Sequence, residues 1–170
     1  MQTNKGDEGM AGIRVKNVVA NIGNSSSGTL CNYFHDLNAG ILGYNSALSF
    51  TNNVFENIIS DATYNSQSNG TAISNIDLGG FAMTLVDGYY YPNGLPPTVT
   101  KTMNNCEIGI ESINTELSVK NCIMFAMKKG VFAANTFGRS IEILGNNIAA
   151  SDACIDLLGN DYASSIVLKS

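Results

Sequence analysis

A glycine followed five residues later by an asparagine recurs along this chain. A recurrent unit of that kind constrains a fold more than any overall composition does. The pairs are Gly12/Asn17, Gly40/Asn45, Gly70/Asn75, Gly109/Asn114 and Gly130/Asn135. An aliphatic residue follows the glycine at Ile13, Ile41, Ile110 and Val131, and Ile155 follows Cys154 in a sixth unit. A second block keeps its own spacing: Leu48, Leu117 and Ile141 each stand seven residues before Phe55, Met124 and Ile148. Phe50, Val119 and Ile143 follow the first of those columns by two. A third block leads into the next unit, with Phe34, Met103, Met124 and Ile148 each six before Gly40, Gly109, Gly130 and Cys154. Midway stand Leu37, Cys106, Met127 and Ser151.

Unit starts at 12, 40, 70, 109, 130 and 154 imply a basic length of 21 to 24 residues, with longer units carrying insertions. The insertions, roughly 23–31, 60–69 and 87–97, are rich in Gly, Ser, Asn and Pro, the residues of turns. The outward position two after each glycine reads Arg14, Leu42, Ala72, Glu111, Phe132 and Asp156. The apolar pieces alternate with period two and are β-branched, as in Ser140-Ile-Glu-Ile-Leu144, which argues for short strands. Gly and Asn tolerate the left-handed backbone and supply the turns between them. A helical repeat would need longer apolar runs at period 3.6. The expected architecture is therefore all-β: a solenoid of parallel strands, each rung about 4.8 Å from the next. Equivalent residues then lie one above another, and the Asn column is expected to form a ladder of side-chain amides.

Composition narrows the functional classes. Of 170 residues, 44% are hydrophobic and only 14% charged, against about one-quarter charged in an average domain. The 22 asparagines and 17 glycines reflect the number of turns per unit. A net charge of −5 lacks the basic footprint of a nucleic-acid binder. No stretch of about 18 apolar residues is present to span a membrane. The first residues are polar and carry no apolar signal-peptide core.

The run Gly40-Ile41…Asn45…Leu48-x-Phe50-x-Asn52-Asn53-Val54-Phe55-Glu56-Asn57-Ile58 resembles the repeat of right-handed parallel β-helix proteins, the pectate-lyase-like superfamily. It is similar in particular to long secreted or surface β-helix proteins of bacteria. The resemblance covers about 12–168 and implies a right-handed parallel β-helix of about six coils. That fold hosts lyases, hydrolases, epimerases, adhesins and plain scaffolds, so function must be argued from sites.

Enzymes of this superfamily use an acidic cluster, often with calcium, beside an Arg or Lys base. In the outward column Glu111 and Asp156 are two rungs apart, about 9.6 Å by strand spacing, with Phe132 between. One calcium ion with bonds of about 2.3–2.6 Å does not bridge that gap directly. His35 and Asp36 are adjacent, and alternation along a strand would send them to opposite faces near a bend. Neither the Asp-Pro-His-Asp stretch of alginate epimerases nor the acidic and Arg-x-Lys set of polygalacturonases is present. Lys128, Lys129 and Arg139 read as solvated turn charges. Cys31, Cys106, Cys122 and Cys154 share no column in neighbouring units, so four free thiols are expected, small core residues for the most part, with Cys106 in a core column and Cys154 in the glycine column. With one His and no Cys-x-x-Cys, no metal or cofactor is expected.

The candidate binding residues are Tyr89, Tyr90 and Tyr91 in the 87–97 insertion. Tyr joins a flat apolar face to a polar tip, suited to sugars or protein interfaces, and equally to packing on the solenoid's own flank. This insertion and 23–31 would rise from one side and wall a groove. Residues 1–11 form a polar N-terminal segment, and 12–170 a single domain. The sixth unit ends with Ile166-Val167-Leu168 and no polar cap follows, so a fragment of a longer chain is expected.

The expected function is that of a non-catalytic extracytoplasmic scaffold or adhesin-like segment, its leader lying outside this sequence. It would present loops to a polysaccharide or a surface protein and abut adjacent coils or domains of a longer chain. Two alternatives stay open: part of a polysaccharide lyase, hydrolase or epimerase, or an assembly module stacking through open edges.

Overall fold

The structure is a computed structural model describing residues 11–23, 32–61, 68–79, 82–88, 102–134, 138–159 and 165–169. Every regular element among them is a strand. In chain order these are β1 (Ala11–Lys16), β2 (Val19–Gly23), β3 (Asn32–Leu37), β4 (Ala39–Tyr44) and β5 (Ala47–Thr51). Then come β6 (Asn53–Ile58), β7 (Thr71–Ile76), β8 (Met83–Asp87), β9 (Met103–Cys106) and β10 (Ile108–Ile113). The last are β11 (Glu116–Lys120), β12 (Ile123–Ala134), β13 (Ser140–Leu144), β14 (Asn147–Leu158) and β15 (Ser165–Lys169).

All strand pairs are parallel, and they fall into three ladders that each follow chain order. The first is β1, β4, β7, β10, then the second halves of β12 and β14. The second is β2, β5, β8, β11, β13, β15. The third is β3, β6, β9, then the first halves of β12 and β14. Because β12 and β14 each serve two ladders, the first and third merge into one bent nine-stranded sheet. With the six-stranded second ladder it nearly closes around a common core. The chain leaves each ladder and returns to it one place further along, which is solenoid-like stacking.

Alternation puts the expected columns inside. Ile13, Ile41, Ile73, Ile110, Val131 and Ile155 are one column, and Ile22, Phe50, Val86, Val119, Ile143 and Leu168 another. A third is Phe34, Phe55, Met103, Met124 and Ile148, in which the Phe34 and Phe55 rings stack at 4.9 Å. Phe50 and Phe55 are fully buried, each worth about 1.5–3 kcal/mol. The glycine column is a close-approach position: a Cβ on Gly40 would sit 2.2 Å from the Ala72 carbonyl oxygen.

The third unit departs from the expected register by two residues. Ile41 pairs with Ile73, so Ala72, not Gly70, occupies the glycine column. Asp77, not Asn75, takes the turn position, its N–H donating to Ile113 O as Asn45 N–H donates to Ile76 O. The outward column accordingly holds Ser74 where Ala72 was expected. Register shifts on both sides of Met127, the first an extra residue in β12 and the second one in β14, set Ala150, not Ser151, beside it. Cys154 keeps its place in the glycine column but is exposed, because β14 has no described strand beyond it.

The amide ladder exists, in a different column. Asp36, Asn57 and Asn105, at a bend one residue before the end of the third-ladder strands, all adopt left-handed φ of 54°, 55° and 53°. Asn105 Nδ2 donates to Asn57 Oδ1 at 2.8 Å, and Asn57 Nδ2 to Asp36 Oδ1 at 3.0 Å. In the expected column Asn45 and Asn114 bond the neighbouring main chain instead: Leu78 N–H donates to Asn45 Oδ1 at 2.7 Å, and Asn114 Nδ2 donates to Asp77 O at 3.4 Å.

Candidate functional site

The outward face of β3, β6 and β9 gathers Tyr33, His35, Glu56 and Asn104. In β3, Phe34 and Leu37 face the core, which sends Tyr33 and His35 outward. Their rings stack at 4.8 Å with 28° between planes. Register places Glu56 beside His35 and Asn104 beside Glu56. The Tyr33 hydroxyl donates to Glu56 Oε2, and Asn104 Nδ2 donates to Glu56 Oε1 at 3.1 Å. The hydrogen bond to the Glu56 carboxylate, with smaller effects of burial and of the Glu56 and Asp36 charges, raises the Tyr33 phenol above its ordinary value.

His35 and Asp36 do meet. Left-handed φ at Asp36 breaks the alternation that would have separated them, and His35 Nδ1 lies 2.9 Å from Asp36 Oδ2. The bond from His35, then that from Asn57, holds the Asp36 carboxyl below its usual range. Both side chains are more than half exposed. A histidine oriented by a carboxylate is half of a nucleophile-activating arrangement. Among the described residues, the partners of His35 are Asp36 and the Tyr33 ring. The face therefore offers a flat aromatic pair bordered by a strip of amides and carboxylates.

Glu111 and Asp156 share a column with Phe132 between them, as expected. Glu111 is not an open outward acid. It is buried, and the Ser68 and Ser74 hydroxyls lie 2.7 and 2.6 Å from its Oε2, with Ser68 in the 60–69 insertion. Asp156 pairs with Lys129 at 2.5 Å, and Lys129 Nζ also sits 5.2 Å from the Phe132 ring centre. The bond to Asp156 raises the Lys129 amine. Nor are Lys128 and Arg139 simply solvated: Lys128 bonds Glu107 at 3.0 Å, and Arg139 reaches the buried Asp77 at 3.4 Å. Among the described residues no group of three or more His, Cys, Asp or Glu is placed to hold a metal ion.

Cys106 and Cys122 are buried and free, and Cys154 is exposed and free. Burial pushes the Cys106 thiol up to about 11 and raises Cys122 as well. Cys31 lies outside the described residues, as do Tyr89, Tyr90, Tyr91 and most of the 23–31 and 87–97 insertions.

Two features lay beyond the sequence argument. Tyr33, Glu56, Asn104 and Asn105 had a usable signal, since Asp36, Asn57 and Asn105 each follow the inward Phe34, Phe55 and Met103 by two. The second is a polar plug in the core. Asn75 Nδ2 faces Ser46 O at 2.8 Å, Thr84 Oγ1 at 3.0 Å and Met83 O at 3.1 Å. Thr115 links Thr84 and Ser112 at 3.0 and 2.5 Å. No family model, curated protein or solved structure matches the chain.

Proposed function

We propose that this chain forms a right-handed parallel β-helix of about six coils and acts outside the cytoplasm as a non-catalytic scaffold that presents recognition surfaces to a glycan or a protein. Support for the winding comes from three parallel ladders in chain order, together with the strong right-handed preference of parallel crossovers. The sequence resemblance to surface β-helix proteins points the same way.

The observation that carries the functional reading is the Tyr33–His35 stack on an exposed face, bordered by Asp36, Asn57, Asn105, Glu56 and Asn104. An aromatic face takes the apolar side of a sugar ring, and planar amides and carboxylates take its hydroxyls. The Tyr89–Tyr91 triplet is proposed as a second contact. The sequestered Glu111 favours the scaffold reading over a lyase or hydrolase working in this column.

Glycan-array and polysaccharide pull-down binding, compared among the parent chain, Tyr33→Ala with His35→Ala, and the triple Tyr89–Tyr91 alanine variant, tests this. The expected result is a tenfold or greater loss on removing Tyr33 and His35. Unchanged binding in that variant removes the β3 face from the argument. Turnover of a polysaccharide by the parent chain, lost on Glu111→Gln or Asp156→Asn, favours the enzyme alternative.

A further inference from the structure

We infer that the face of β3, β6 and β9 takes an uncharged, hydroxyl-rich glycan and turns acidic glycans away. The inference rests on the glycan reading above and names the class of sugar. Asp36 decides which atoms the face turns outward. Its carboxyl, held below the usual range by the bond from His35 and then that from Asn57, is ionised at neutral pH and can only accept. The hydrogen between Asp36 and His35 therefore sits on Nδ1, and in the neutral ring Nε2 is left as an acceptor. The same logic orients the amide ladder. Asn57 must turn Nδ2 toward Asp36, which turns its Oδ1 toward Asn105. Asn105 then gives Nδ2 to Asn57 and keeps its own Oδ1 at the end of the ladder. No amide continues the row, because the next rung has Ala126 at that position.

Around the aromatic stack the face is thus rich in acceptors. His35 Nε2, the Asp36 carboxylate and Asn105 Oδ1 accept, while the Tyr33 hydroxyl hydrogen is spent on Glu56. Sugar hydroxyls are the matching donors, and the second amide hydrogens of Asn57 and Asn105 answer their oxygens. Asp36 and Glu56 are both carboxylates, and among the described residues β3, β6 and β9 carry no lysine or arginine. Lys120, Lys128, Lys129 and Arg139 are held by Glu142, Glu107, Asp156 and Asp77. Arg14, Lys16 and Lys169 stand on β1 and β15, in the other two ladders. A uronate or sulfate on this face meets two carboxylates and none of the guanidinium or ammonium groups that hold such anions. An uncharged pyranose keeps the hydroxyls and the apolar ring face without that repulsion. Asp36, Asn57 and Asn105 repeat at about 4.8 Å, so a glycan chain laid along the stack meets one such group per rung.

Glycan-array binding scored by matched pairs tests the inference, with EDTA present so that no divalent cation bridges acid groups. The pairs are methyl-esterified against free polygalacturonate, and each neutral glycan against its sulfated form. Binding that is lost in Tyr33→Ala with His35→Ala is expected to favour the uncharged member of a pair by about tenfold or more at low salt. Asp36→Asn with Glu56→Gln keeps a residue that accepts the left-handed bend, and circular dichroism checks that its strands persist. That variant is expected to shrink the preference to about threefold or less. Equal or tighter binding of the acidic member by the parent chain overturns the inference and leaves the glycan reading standing. So does a preference that the Asp36→Asn, Glu56→Gln chain retains in full. Absence of any glycan whose binding depends on Tyr33 and His35 overturns the glycan reading, and this inference with it.

Discussion

At the scale of single residues, one backbone position repeats in four rungs with three kinds of side chain. Asp36, Asn57, Asn105 and Ala126 all stand at the same bend within the third-ladder strands, and Ala126 shares the left-handed φ, at 55°. Asparagine and aspartate accept that conformation; an alanine in it costs about 1–2 kcal/mol. Ala126 is exposed and follows the rung ended by Asn105. Ala126→Asn is therefore expected to relieve strain and add one rung to the amide ladder. The gain is about 1 kcal/mol, or roughly 2–4 °C in Tm for a chain of this size. Ala126→Gly relieves the backbone alone and should recover part of that gain. Thermal unfolding of the three proteins checks the order. The column was legible in the sequence as offsets, because inward Phe34, Phe55, Met103 and Met124 announce it. The presence of alanine in it was not, since a small exposed residue gives no sign of its φ.

At the scale of elements, the turn after β6 is pinned by a carboxylate from the next rung. Glu107, between β9 and β10, accepts from the Ser60 N–H at 3.1 Å, from the Ser60 hydroxyl and from Lys128 Nζ at 3.0 Å. Partial burial pushes the Glu107 carboxyl up, but the bonds from Ser60 and Lys128 outweigh it and leave the group below its ordinary value. A carboxylate lowered in the folded state stabilises the fold above its unfolded pKa. That contribution disappears as pH falls through the folded value. Stability is thus expected to fall from neutral pH into the acid side of the glutamate range. Glu107→Gln should be less stable at neutral pH, by about 1 kcal/mol for a partly screened charge, and should show a shallower acid loss. Urea unfolding at neutral and acid pH measures both.

The same rung explains where sequence reasoning slipped by two residues. Gly70 and Asn75 fit the glycine-to-asparagine spacing, but so do Ala72 and Asp77, and the latter hold the positions. The glycine column requires smallness rather than a left-handed backbone, so alanine serves. The turn column accepts Asp77 because its carboxylate takes the Gly79 and Ala82 N–H groups. Asn75 is then free to sit in the core among Ser46, Thr84 and Thr115. The β3 face was legible only in its inward half, as Phe34 and Leu37. The stack of Tyr33 on His35 and the pairing of His35 with Asp36 depend on a bend whose φ the sequence alone did not announce.

At the scale of the whole molecule, strand pairing joins each rung only to its neighbours, the Arg139–Asp77 ion pair reaches one rung further, and burial is graded along the stack rather than from surface to centre. Stability in such a molecule is close to a sum of rung and nearest-neighbour contributions. Rungs with a neighbour on both sides gain twice, and edge rungs once. Opening should therefore begin at β1, β2 and β3 or at β14 and β15, and reach β7, β8, β10 and β11 last. Amide hydrogen exchange in dilute protein is expected to show slow exchange for Ile73, Val86, Ile110 and Val119, with markedly faster exchange for Val15, Ile22 and Leu168. Uniform protection along the ladders would mean one cooperative unit and contradict the graded picture.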